Sequence, residues 1–152
     1  MLASTLLFAA FAAAAPMSDH VHKRAGGPIA KPIPSTCTVT NPLPTSSGAE
    51  TYQPAPATSD ALLYSAYYPS PSSNKTALAE QCLQQCYGYG DSTQCKTVYW
   101  AENVVTPAGY RGSPGGALQT GCVFFNRTLV NADFVPAPAG QATDAFAGNI
   151  QC

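Results

Sequence analysis

The chain has 152 residues, seven Lys or Arg against eight Asp or Glu, a formal net charge of −1 and only 10% charged residues. That excludes the basic stripe by which a protein holds a nucleic-acid backbone, and the length suits one domain rather than two. Fourteen prolines and twelve glycines disfavour long helices and point to a loop-rich fold.

Residues 1–15 read as a signal peptide. Leu2–Ala15 (LASTLLFAAFAAAA) is apolar and ends in small residues, as a cleavable h-region does. It falls short of the roughly 20 apolar residues that span a bilayer. Residues 16–24 read as a propeptide ending in Lys23-Arg24. Two adjacent cations on an exposed chain are what the acidic pocket of a Kex2/furin-type protease recognises. Cutting there leaves Ala25–Cys152, with five basic against seven acidic residues and a net charge of −2. His20 and His22 both precede the cut, so the mature chain has no histidine.

Residues 25–35 read as a flexible tail, because prolines at 28, 32 and 34 leave it nothing regular to form. Thr36–Thr40 (TCTVT) favours a short strand tied down by Cys37. Asp60–Tyr68 (DALLYSAYY) fits a short helix or a strand, and its periodicity does not choose. Thr76–Tyr87 (TALAEQCLQQCY) is the clearest element, a helix with Thr76 as N-cap, Glu80 in the first turn and Gly88 and Gly90 beyond its end. Leu78, Cys82 and Cys86 recur every fourth residue beside Ala79 and Leu83. This inward stripe points both cysteines at the core, while Gln81, Gln84 and Gln85 face water.

Cys95–Ala101 (CKTVYWA) reads as a strand with Val98 and Trp100 on one face and Thr97 and Tyr99 on the other. Glu102–Gly121, with five glycines and two prolines, reads as a long connection. Cys122–Leu129 (CVFFNRTL) is a second strand, and Asp133–Val135 a third. Two glycosylation sequons, at Asn74 and Asn126, mark solvent-facing positions if used.

The six cysteines, Cys37, Cys82, Cys86, Cys95, Cys122 and Cys152, are an even set in a chain bound for an oxidising lumen. Fifteen pairings are open on spacing alone. A metal site is disfavoured by the compartment and the missing histidines.

These residues carry a resemblance. Ala-Glu-Gln-Cys82-Leu-Gln-Gln-Cys86, eight residues, Cys95 followed by Lys-Thr-Val-Tyr-Trp, and then Cys122-Val-Phe-Phe resembles the core of a PAN/apple domain over residues 36–152. The resemblance implies an α+β module with one short helix on a curled antiparallel sheet. It implies disulfides Cys82–Cys122 and Cys86–Cys95, and an outer Cys37–Cys152 pair joining the chain ends. The 26 residues between Cys95 and Cys122 exceed the family's usual gap and imply an inserted hairpin loop. The 44 residues between Cys37 and Cys82 are also many. The Ala-rich leader, dibasic site and Pro/Ser/Thr-rich lead resemble those of filamentous-fungal secreted proteins.

Catalytic motifs are scarce. Without histidine no Ser-His-Asp or Cys-His arrangement is available, and paired cysteines leave no thiolate. Gly112-Ser113-Pro114-Gly115 is not a nucleophile elbow, and Gly115-Gly116 lacks the Lys-Ser/Thr of a phosphate loop. What remains is a carboxylate pair for glycoside hydrolysis, drawn from seven acids with no motif. The aromatic residues offer binding instead: Tyr110 with Arg111 on the glycine-rich loop, Trp100 and Tyr89 are the candidates, since aromatic faces stack on sugars and anchor protein interfaces.

The expectation is a secreted, non-catalytic binding module, extracellular or in the cell wall, without metal or cofactor. Its partner is a cell-wall polysaccharide or an extracellular protein. The alternatives are a small secreted effector acting on a host protein, a carboxylate-based glycosidase, or a structural wall protein.

Overall fold

The computed structural model describes residues 27–152. The signal peptide, the propeptide, its dibasic site and the first two residues of the predicted tail lie outside that range.

Seven strands and one helix follow in the order β1 (Thr38–Thr40), β2 (Tyr52–Pro54), β3 (Leu62–Tyr68), α1 (Lys75–Tyr87), β4 (Thr97–Val105), β5 (Leu118–Phe125), β6 (Phe134–Pro136) and β7 (Thr143–Gln151). Five strands form one antiparallel sheet in the order β1-β7-β4-β5-β3, and β2 pairs with β6 in a separate two-stranded ribbon. The described residues are therefore α+β, with a single α-helix on an antiparallel sheet.

The strand alternation read from sequence sorts the two cores. Val98, Trp100, Cys122 and Phe124 join Leu78, Ala79, Cys82 and Cys86 of α1 in one buried cluster, with Ile150 of β7. Tyr99, Ala101, Val123 and Phe125 face the other way, onto Leu129, Phe134, Ala142 and Ala147 on the ribbon side. The layers are helix, sheet and ribbon.

The helix is capped two residues earlier than its sequence suggests. Asn74, not Thr76, is the N-cap, and its Oδ1 accepts from the Ala77 amide at 3.1 Å. Glu80 lies past the first turn and accepts a hydrogen bond from Gln84 at 3.2 Å, so it stabilises through a side chain rather than the helix dipole. Of the three glutamines read as facing water, Gln81 does so, while Gln84 and Gln85 are half-buried.

Asp60–Tyr68 resolves into the end of a 3₁₀ turn (Pro56–Ala61) followed by β3. The long connection is shorter than it reads, since β4 runs on to Val105 and β5 starts at Leu118, leaving a hairpin loop between them. A bulge at Ala101–Val104, with Asn103 at φ 54°, bends β4 there. The tail is also corrected: its described part, residues 27–35, runs along α1. The Lys31 amide donates to the Gln84 carbonyl at 3.1 Å, Ile33 packs on the helix-side core, and a Cβ at Gly88 would collide with the Ile29 carbonyl.

All six cysteines are paired, Cys37–Cys152, Cys82–Cys122 and Cys86–Cys95, the set that the resemblance implies. The inner two tie α1 to β5 and to the entrance of β4, with their sulfurs in the helix-side core. Among the described residues no helix is long and apolar enough to cross a membrane. That and three disulfides are compatible with an extracellular protein.

Candidate functional site

The residues that could meet a ligand lie around β3 and the exit of α1. Beyond the C-cap Gly88 the chain turns sharply: the Tyr89 amide donates to the Cys86 carbonyl at 3.0 Å and the Ser92 amide to the Tyr89 carbonyl at 3.2 Å. Gly90, at φ +61°, supplies the left-handed residue that this turn requires. The turn sets the Tyr89 ring beside Tyr64 of β3, with centroids 6.2 Å apart and planes 44° apart. Buried Phe124 backs both rings, 5.0 Å from Tyr64 and 5.8 Å from Tyr89. The two tyrosines, Gly88, Gly90 and the arm residues Gly27 and Pro28 line a shallow hollow of about 350 Å³. A second hollow of about 470 Å³ runs between the arm (Pro32 to Ser35) and Leu83 and Gln84 of α1.

The four aromatic and cationic candidates are not brought together. Tyr89 lines the first hollow. Trp100 is 1% exposed in the middle of the sheet and has no route to a ligand, which corrects its place among the candidates. Its indole Nε1 is buried with no hydrogen-bond partner. A strand residue at the centre of a two-sided core is buried whichever face it takes.

Tyr110 is half-buried and lies apart from the first hollow. Its loop folds back onto β3, and its hydroxyl accepts a hydrogen bond from the Tyr67 amide at 3.1 Å. The Tyr110 ring stands edge-on to Tyr67 at 5.0 Å, and the exposed Arg111 guanidinium lies 5.5 Å from the Tyr110 centroid. Burial pushes the Tyr67 phenol up, a hydrogen bond from Ser65 partly offsets it, and Tyr110 adds to the rise.

Four of the carboxylates, Glu102, Asp144, Asp133 and Asp91, are held by neighbours. Glu102 accepts from Ser70 at 2.9 Å and Thr120 at 2.8 Å, one on each oxygen. Asp144 pairs with Lys75, whose pKa it raises through that hydrogen bond. Asp133 takes both guanidinium nitrogens of Arg127 at 2.9 Å and the Val130 amide at 2.8 Å, and the Arg127 bond is the main cause of its lowered pKa. Asp91 is lowered chiefly by the Thr93 hydroxyl. The first hollow carries no carboxylate and the second only Glu80. A glycosidase pair needs two carboxyls about 5 to 10 Å apart across a substrate site, and neither hollow supplies two. No group of three metal-ligating side chains occurs among the described residues.

One polar cluster escaped the sequence. Asn149, 6% exposed on β7, accepts from Thr97 Oγ1 at 2.5 Å and from the Leu129 amide at 3.3 Å, and donates to the Leu129 carbonyl at 2.9 Å. The Arg127 carbonyl lies 2.9 Å from the same Thr97 hydroxyl, whose single proton serves either that carbonyl or Asn149. This knot fixes the loop after Asn126. Both sequon asparagines, Asn74 and Asn126, are exposed.

Comparison of the chain with protein-family models, with curated proteins and with solved structures finds no match.

Proposed function

We propose that this is a secreted, non-catalytic binding protein of PAN/apple-like architecture that recognises a cell-wall polysaccharide through the Tyr64–Tyr89 hollow. The observation that carries the reading is the pair of half-buried tyrosine rings, tilted against each other over a Phe124 floor beside three glycines. Rings held by their backing offer flat apolar faces to the C–H side of a pyranose. The helix disulfides to β5 and to the entrance of β4 support the architectural part. They also support secretion, because three staples suit an oxidising compartment.

The test is depletion of the oxidised protein by insoluble chitin, β-glucan, cellulose and mannan, with the reduced protein as control. Selective depletion by one polymer, lost on reduction, is expected. An aromatic contact of about 1 kcal/mol predicts roughly fivefold weaker binding for Tyr89→Ala. Wild-type protein that no polymer depletes, or a Tyr89→Ala variant that binds as well, removes the carbohydrate reading and leaves an extracellular protein as the partner class.

A further inference from the structure

We infer that Tyr110 is a guard on the open edge of the sheet, and that the partner it excludes is the β3 strand of a second copy of this chain. β3 ends the five-stranded order, and edge strands present unpaired N–H and C=O groups that another chain can extend. From Leu62 to Tyr68 this edge carries no charge, so it lacks the commonest protection, a lysine.

Three other devices close the edge. The Tyr67 N–H points away from β5, as its bond to the Tyr110 hydroxyl shows. Antiparallel pairing alternates inward and outward amides, so the Ser65 amide also points outward. Position 69, next in that alternation, is a proline with no N–H to offer. At the other end a bulge between Leu62 and Tyr64 breaks the regular register. The regular outward edge is therefore Ser65 and Tyr67 alone.

That short edge is complementary to itself. Two copies placed antiparallel about Ala66 set Ser65 of each opposite Tyr67 of the other, and each such pair exchanges two backbone hydrogen bonds. Of the four bonds, the two Tyr67 amides donate two. The Tyr110 hydroxyl occupies that donor in each copy, and its ring covers Tyr67 edge-on at 5.0 Å. No residue from Leu62 to Tyr68 is charged, so the strands themselves bring no like charges together. The guard is held firmly: the Tyr110 amide donates to the Pro107 carbonyl at 3.2 Å and the Ser113 amide to the Tyr110 carbonyl at 2.9 Å.

Sedimentation of the full oxidised protein over a range of concentrations tests this. Wild type is expected to be monomeric. Tyr110→Ala is expected to dimerise reversibly, with a self-association constant at least tenfold above wild type. Adding Ser65→Lys, which brings two ammonium groups beside the dyad, is expected to restore the monomer. A natively folded Tyr110→Ala protein that stays monomeric overturns the inference, as does a dimer that Ser65→Lys leaves intact or a wild type that dimerises equally. Tyr110→Phe keeps the ring and removes the acceptor, so it is a second arm that does not depend on dimer formation. Hydrogen exchange at the Tyr67 amide is expected to speed at least tenfold in it, and unchanged exchange also overturns the inference.

Discussion

Replacing the outer disulfide by Cys37→Ser/Cys152→Ser separates two accounts of what the staples do. Cys152 is exposed, Cys37 is half-buried, and all three residues of β1 are exposed. Counted by native contacts, its loss costs less than ~1 kcal/mol, since little apolar area leaves the core. In the chain-entropy model the cross-link acts on the unfolded chain, and a separation of 115 residues is worth about 4.8 kcal/mol at 25 °C. The same relation assigns about 3.9 kcal/mol to the 40-residue separation of Cys82–Cys122 and about 2.6 kcal/mol to the 9-residue separation of Cys86–Cys95. We expect the entropic term to win and the variant to lose about 4–5 kcal/mol. Urea unfolding followed by emission of Trp100, the one tryptophan and 1% exposed, reads it directly. The m-value should rise as well, because an unlinked unfolded chain exposes more surface. A loss below about 1.5 kcal/mol with an unchanged m-value would refute the entropic reasoning. The three terms together approach a whole domain's stability of about 5–15 kcal/mol, so full reduction should unfold the protein.

Asn149→Ala takes the side-chain donor from the buried Leu129 carbonyl, while the Leu129 amide keeps Thr97 Oγ1 at 3.1 Å and the Thr97 hydroxyl keeps the Arg127 carbonyl at 2.9 Å. We expect a cost of about 1–3 kcal/mol by urea unfolding, above that of an exposed Asn→Ala change. Tyr99, 1% exposed, donates its hydroxyl to the Tyr52 carbonyl at 2.9 Å, and burial raises its pKa far above that of a free phenol. Because the folded value is the raised one, this contribution is complete below about pH 10, the unfolded value, and is lost as pH climbs beyond it. Alkaline unfolding should therefore begin at higher pH in Tyr99→Phe than in wild type, once the curves are aligned at pH 8. Asn74 caps α1 through Oδ1, which leaves Nδ2 for a glycan. Asn74→Ala should lose both cap and glycan and cost about 1 kcal/mol. Thr76→Ala should lose the glycan alone, as read by thermal unfolding and intact mass.

The helix was legible because its signals are local. Leu78, Cys82 and Cys86 repeat with the helical period, and Gly88 marks the stop. The faces of β4 and β5 were legible for the same reason, since Val98, Trp100, Cys122 and Phe124 did share one side. β7 was not legible. Its sequence TDAFAGNIQ holds small and turn-favouring residues with poor strand propensity. It is a strand because it fills the slot between β1 and β4. Gly148 suits that slot and little else: a Cβ there would press on Leu83 of α1 and Val39 of β1, both at 3.1 Å.

The candidate site divides in the same way. Aromatic content and a glycine-rich loop pointed to Tyr110, Trp100 and Tyr89, but which ring reaches solvent depends on strand order and loop path. Trp100 went under the helix, Tyr110 turned its hydroxyl to a backbone amide 43 residues away, and only Tyr89 stayed at a hollow. Periodicity, capping chemistry and turn residues act within about four residues, so composition and order alone determined the helix, the strand faces and the need for disulfides. Partners 20 to 115 residues apart, such as Asn149 with Leu129, Tyr64 with Tyr89 and Cys37 with Cys152, follow from sheet register. That register is set only when the whole core packs at once.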